Sequence, residues 1–363
     1  MTGFPRASEP LRIKGVTIPN RIVFPPFVTN YSARDGSISE KQIEFYRRIA
    51  AAGVGLTIIG ASGATPDRMA SGMTRIDDDR YIPGLRRLFD AIRQEGSVPG
   101  VQIVHPGRQT TARVSGRQTV GPSAIPCPLW GETPRELTIG EIEELEDAFA
   151  RAARRAVEAG AEVIEFHAAH GYLLFQFLSP LSNARKDRYG GSLENRARFA
   201  INSLDKTRAL VGQDPVLGFR LSADEFVDGG LRIDESRVIA KRMAEHSSDF
   251  IDVSAGTPAS GPKRYEEMEA GTYVRLAGEI KREVDVPVIC VGWVTGLDRA
   301  EEILARGTAD LVAIGRALVA DLDLLKKYRG GRAADVVECI HCRVCLDSIF
   351  RDEPMCCTQN PNL

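Results

Sequence analysis

Long apolar runs are missing from these 363 residues. None approaches the roughly 20 residues that a membrane-spanning helix needs. The opening segment MTGFPRASEPLRIKG likewise lacks the continuous apolar core of a secretory signal. No membrane partner is expected, and a cytoplasmic location is. Neither sign of charge dominates: 47 Lys and Arg stand against 49 Asp and Glu, a formal net charge of -2. Without a basic surplus there is no global attraction to nucleic acid. Histidine is scarce, at five residues, so two of them close together carry information. Cysteine is scarce until the end, where Cys339, Cys342, Cys345, Cys356 and Cys357 gather. In a large chain with no secretory signal, that clustering argues for a metal site over a disulfide framework.

What is present is an alternation. Short β-branched runs at Arg21–Pro25, Gly55–Ala61, Gly100–Val104, Glu162–His167, Val216–Leu221, Phe250–Ser254, Val286–Val291 and Asp310–Ile314 predict eight strands. Amphipathic stretches at Ser39–Ala52, Pro83–Glu95, Ile139–Ala159, Leu193–Val211, Asp234–His246, Tyr273–Arg282, Asp298–Arg306 and Asp321–Tyr328 predict the helices that follow them. An open doubly wound sheet shares this alternation; the polar residues decide against it. Gln102, His105, His167, His170, Arg220, Ser254, Gly256, Gly292, Gly315 and Arg316 fall in or just after strands three to eight. They converge on the C-terminal mouth of a barrel, where such folds build their sites. The predicted fold class is therefore α/β, a single (β/α)8 TIM barrel over residues 1–330 with a short cysteine-rich extension over residues 331–363.

Strand four runs into HAAHGYLLFQFLSPLSNARKDRYGGSLENRARF. His167 and His170 flank an Ala-Ala step, so both imidazoles can donate to one oxygen in a shared cavity. Tyr172 adds a phenol able to deliver a proton. The acidic run EIEELE at 141–146 reads as a solvated helix face, and Cys127 and Cys290 read as buried packing residues.

That stretch resembles the signature of the old yellow enzyme superfamily of FMN-dependent NADH:flavin oxidoreductases. Further marks stand in order along the chain: NRIVFPPF, GASGAT, VQIVHPGRQ, GFRLSADE, VSAG, VGWVT and ADLVAIGRAL. The resemblance implies that Pro26, Phe27 and Val28 lie against the flavin, that Ala61 and Gln102 contact its ring, and that Arg220 sits near its N1/O2 edge. It implies a phosphate cradle of Gly292, Gly315 and Arg316, with Ser254, Gly256 and Val291 also lining the cofactor.

The tail reads Cys339-x2-Cys342-x2-Cys345-x11-Cys357 followed by TQNP. Three thiolates from one tight loop and a fourth from beyond suit a [4Fe–4S] cluster; a zinc site of four Cys, or one using His341, is the alternative. The tail is similar to the cluster loop of the superfamily branch typified by trimethylamine dehydrogenase and 2,4-dienoyl-CoA reductase. Cys357 is the expected fourth ligand, with Cys356 beside it as a substitute. Trimethylamine dehydrogenase binds its flavin covalently through a Cys on strand one; Val28 stands here, so a non-covalent FMN is implied. Those relatives continue into FAD- and nucleotide-binding domains that these residues do not include, which leaves NADH, NADPH or an electron-transfer protein as the electron source. The His pair, by contrast, is the carbonyl-binding arrangement of ene-reductases.

The expected activity is hydride transfer from reduced FMN to the alkene of an α,β-unsaturated carbonyl compound. His167 and His170 would hold the carbonyl oxygen, Tyr172 would protonate the α-carbon, and the cluster would relay electrons. Two alternatives share these residues: a dehydrogenase passing electrons to a carrier protein, or the barrel subunit of an electron-transfer complex. A homo-oligomer is expected.

Overall fold

Strands of near-continuous Val, Ile and Leu are buried on both faces where helices cover a parallel sheet, open or closed. A closed sheet is what the chain forms in this computed structural model, which describes residues 3–363. The barrel strands are β1 Ile22–Phe24, β2 Leu56–Gly63, β3 Val98–Val104, β4 Val163–Ala168, β5 Val216–Ser222, β6 Phe250–Ser254, β7 Val288–Cys290 and β8 Leu311–Ala313. All pair in parallel with their sequence neighbours, and β1 closes the ring by pairing with both β2 and β8. The fold is the predicted (β/α)8 barrel.

The two-residue period of a strand sorts its side chains between lumen and helical layer. Val23, Leu56, Ile58, Val98, Val163, Val216, Phe250, Ile289 and Leu311 form one apolar cluster inside the barrel, near the strand starts. Ile13, Val16 and Ile18 join that cluster from a hairpin, Leu11–Ile13 against Val16–Ile18, that closes the lower end. The intervening residues, among them Ile59, Val101, Ile103, Ile164, Phe166, Phe219, Ile251 and Val253, belong to the larger cluster shared with the helices. Further along the inward phase the residues become polar: Gln102, Glu165, His167, Arg220, Asp252 and Ser254, all buried. One period thus builds an apolar floor and a polar ceiling.

The covering helices are α1 Glu40–Ala51, α2 Ile82–Gln94, α3 Ile139–Ala159, α4 Leu193–Val211, α5 Ile233–Glu245, α6 Thr272–Lys281, α7 Leu297–Ala305 and α8 Leu324–Arg329. Boundaries follow local chemistry. Thr138 and Glu141 form a reciprocal capping box at the start of α3, and Gly160, at φ +105°, ends it. The last helix begins at Leu324, later than the pattern suggested, because Arg316–Ala320 is a separate short helix. The EIEELE run is only partly solvated: Glu146 is buried, accepts from Tyr189 Oη at 3.0 Å and pairs with Lys206 at 3.1 Å. Cys127 and Cys290 are buried, as expected. No helix of the described residues is long and apolar enough to cross a membrane.

The C-terminal residues run back over the barrel. Met355 is 1% exposed and, with Cys345, belongs to the main core cluster. Tyr31 Oη donates to Met355 O at 2.7 Å, Met355 N to Thr29 O at 2.8 Å, and Asn30 Nδ2 to Glu353 O at 3.0 Å. Ser71 N donates to Asp352 Oδ1 at 2.6 Å. The tail thereby ties down both the segment after β1 and the loop after β2.

Candidate active site at the barrel mouth

The register of β4, β5 and β6 sets His167, Arg220 and Asp252 level with one another. His167 ends the inward phase of β4 and is buried; His170, one turn on, takes φ +56° and stays partly open. Their rings lie edge to face at 5.1 Å, with His170 Nδ1 3.4 Å from His167 Nε2. His170 Nε2 meets the Ser254 hydroxyl at 2.7 Å. His167 Nδ1 is buried with no partner among the described residues. Burial, then the charge of Arg220, lowers both imidazoles well below the usual histidine range, so both are neutral near pH 7. The Tyr172 ring packs 4.8 Å from His167, and burial raises its phenol. Three of the five histidines serve this region, since His105 also stands at the end of β3.

The residues assigned to a flavin also meet here. Val28, Ala61 and Tyr172 belong to one small apolar cluster with Met69, Met73 and Val104. Phe27 is buried beside Pro26 at the end of β1. The backbone of Gly60 is so close to Pro26 and Gln102 that an added Cβ would lie 2.8 Å and 3.1 Å from their Cβ atoms. Gly256 and Gly292 take φ +78° and +119°, and a Cβ on Gly292 would sit 2.8 Å from Tyr273. Gly315 precedes the short helix that begins at Arg316. The Arg316 guanidinium lies over the Trp293 ring at 5.6 Å and 3.6 Å from Met268 Sδ, with Val291 and Gly292 just before that ring in the chain.

The tail brings Cys339, Cys342, Cys345 and Cys357 to the lining of one narrow cleft, lined also by Arg316, Val319, His341, Arg343 and Thr358. All seven cysteines are free. The four thiols share the cleft without forming a compact ligand set: among the described residues no three His, Cys, Asp or Glu side chains stand as a metal-holding group. Cys356 is exposed and does not line the cleft. His341 is stacked flat on Trp293 at 3.7 Å.

Three features escaped the sequence reading. The first is a carboxyl pair in the lumen, Glu165 and Asp252. Gln102 Nε2 donates to Glu165 Oε1 at 2.7 Å, and Arg220 Nε stands 3.3 Å from Asp252 Oδ2. Burial, then the neighbouring Asp252, raises Glu165 far above the ordinary carboxylate range, against the charge of Arg220; burial also raises Asp252, opposed by Arg220 and by the hydrogen bond from Glu165. One proton on Glu165, donated to Asp252, resolves the repulsion and leaves Asp252 ionised against Arg220. Charged residues at inward positions of otherwise apolar strands, VIEFHA and FIDVS, were the signal. The second is Asp67 in the loop after β2. Burial works against its charge, but His105, Thr65 (2.8 Å) and Ser115 (3.2 Å) hold it well below its ordinary value. The third is Arg264, in the loop after β6. No local pattern marks it.

With the geometry in view, comparison with known proteins decides the family. The pattern of the NADH:flavin oxidoreductase / NADH oxidase family matches residues 8–335. The chain belongs to that family. An NADH oxidase of Thermoanaerobacter brockii is 43% identical over 368 residues, covering 99% of this chain and 56% of its own length. An NADPH dehydrogenase of Geobacillus thermodenitrificans is 40% identical over 313 residues, covering 86% and 90%. The solved structure of a 2-naphthoyl-CoA reductase in complex with 2-naphthoyl-CoA superimposes with a TM-score of 0.94 at 31% identity, covering 99% of this chain and 57% of that one. The chain thus spans about half the length of the NADH oxidase and of the naphthoyl-CoA reductase. Family membership makes it an oxidoreductase and supports FMN and a nicotinamide nucleotide as its redox partners. The family match stops at residue 335, ahead of Cys339.

Proposed function

We propose that this chain is an FMN-dependent ene-reductase acting on α,β-unsaturated carbonyl compounds, with NADH or NADPH as reductant. The observation that carries the reading is the neutral His167/His170 pair. His167 Nδ1 has no protein partner, and His170 Nε2 is engaged only by a rotatable hydroxyl. His167 Nε2 and His170 Nδ1 face each other at 3.4 Å, and a carbonyl oxygen beside both would accept from both N–H groups, with the Ser254 hydroxyl donating to His170 Nε2 and so leaving the proton on Nδ1. Tyr172, raised by burial, keeps its proton until it is delivered to the α-carbon.

The mouth also fits a flavin. Gly60 packed on Pro26 and Gln102, Gly256 on Arg264 and Gly292 on Tyr273 fix the backbone of the turns that would hold it, since a Cβ at each would meet those side chains. Val28 and Ala61 would pack on the ring, Phe27 behind it. Gln102 and Arg220 would reach its polar edges. Ser254, Val291, Gly292, Gly315 and Arg316 would complete the pocket, with Arg316, ion-paired to no carboxylate among the described residues, on the phosphate. When bound, FMN supplies the hydride.

The test is steady-state reduction of a simple enone by the FMN-loaded protein. His167→Asn is expected to lower kcat about 100-fold while FMN affinity stays within about two-fold. Full activity in that variant would sink the assignment.

A second reading rests on the four cysteines that line one cleft: Cys339, Cys342, Cys345 and Cys357, once drawn together, would hold a [4Fe–4S] cluster and give electrons an exit to a carrier protein. Such a cluster supplies single-electron steps. Anaerobic mixing with NADH and NADPH separates the readings: rapid flavin bleaching supports the reductase, and bleaching by neither supports the carrier. Iron and sulfide near four each per chain support the cluster; zinc without sulfide would remove the tail's redox role.

A further inference from the structure

Among the described residues Arg264 is a cation without a counter-ion, at the rim of the proposed carbonyl site. It sits in the helical turn Lys263–Glu269 that follows β6 and folds back over the strand end. The fold-back is tight: Gly256 takes φ +78°, and a Cβ there would meet Arg264 Cβ at 2.8 Å. Ser254, two residues earlier, holds His170. The same fold-back brings the guanidinium close enough for its charge to act on His170, Tyr172 and Tyr273.

Of the other arginines of this mouth, Arg316 is assigned above to the FMN phosphate and three more are engaged. Arg220 faces Asp252, Arg108 donates to Ile125 O and Pro126 O, and Arg68 to Arg34 O. Arg264 makes one side-chain hydrogen bond, from Nη2 to Tyr265 Oη at 2.5 Å, and rests over that ring at 4.7 Å. Its Nε is buried with no partner. A half-buried guanidinium with unused donors is a receptor for an anionic oxygen, because leaving those donors unmatched away from water is costly. Its planar fork matches a carboxylate in particular.

We propose that Arg264 is a substrate-anchoring residue and that the substrate is an α,β-unsaturated carbonyl compound that also carries a carboxylate. The carbonyl oxygen would lie between His167 and His170, and the carboxylate on Arg264. This rests on the ene-reductase reading of the site.

The test compares 4-oxopent-2-enoate with its methyl ester on the FMN-loaded wild type, Arg264→Gln and Arg264→Lys. The two compounds differ in intrinsic reactivity, so the decisive quantity is how the substitution changes their ratio. Arg264→Gln is expected to lower kcat/KM for the carboxylate about 10- to 100-fold, through KM, and to change the ester less than about three-fold. Arg264→Lys should restore part of the loss. An equal loss on both compounds, or a fall in FMN affinity that places Arg264 on the cofactor, overturns the proposal. If the wild type reduces neither compound, the ene-reductase reading fails, and binding of saturated 4-oxopentanoate, followed by flavin absorption, decides the anchor separately. Binding weakened by Arg264→Gln upholds the anion site; binding indifferent to the substitution, or none, sinks it.

Discussion

Burial in the lumen sets the charge of His167, and that charge state has a cost in acid. Its folded proton affinity is depressed below the ordinary value near 6.5 of an unfolded chain. Below that pH the unfolded chain binds a proton that the folded chain refuses, so the contribution to stability is present above about 6.5 and is lost as pH falls. The slope from this residue is about 1.4 kcal/mol per pH unit. Urea titrations of wild type and His167→Asn between pH 7 and 5 should therefore converge as the medium acidifies, and parallel curves would show that His167 is charged in the fold. Glu165 acts in the opposite sense, since its raised value favours folding at low pH and fades above about 4.5. The histidines were legible because they stand on one motif at one strand end. Glu165 and Asp252 were not, because a single carboxylate in an apolar run says nothing of its partner on another strand. Arg264 was hidden for a related reason: its meaning comes from the carboxylates that do not face it.

Among the elements, the turns after the strands carry more of the site than the strands do. Gly292 shows why. Its φ of +119° is strained for any residue with a Cβ, and that atom would also press on the Tyr273 side chain. Gly292→Ala should cost about 1–3 kcal/mol in stability. It should also weaken FMN binding, read as a lower melting temperature and a raised Kd; an unchanged Kd would move the cofactor away from this turn. Strands β1 to β8 and most helices were readable from period and caps, with α3 and α4 matching to the residue. The lower hairpin was not, although LRIKGVTI alternates around a turn with Lys14 at φ +50°. Two three-residue strands give too short a period to stand out. The tail's path over the barrel was equally invisible, since hydrogen bonds such as Tyr31 Oη to Met355 O join residues 324 positions apart.

At the scale of the whole molecule, the cysteine-rich extension is part of the barrel's packing. Removing residues 331–363 would strip the carbonyl that Tyr31 donates to, the donor on Thr29 O, and the buried Met355 side chain. Together these should cost about 3 kcal/mol or more, seen as a lower urea midpoint. If the truncated chain matched the full one, residues 331–363 would be a separable unit. The tail also meets the loop after β6, where Arg343 lies over the Tyr265 ring at 4.4 Å.

The hairpin at the lower end has a consequence for traffic. Ile13, Val16 and Ile18 seal the lumen from below, and the Lys14–Asp249 ion pair at 3.1 Å holds the seal at the start of β6. The barrel is a cul-de-sac. If the proposed reductant and substrate both need the polar ceiling, they come and go by one doorway. In the proposed reaction each would have to vacate before the other entered, dividing the chemistry into two visits.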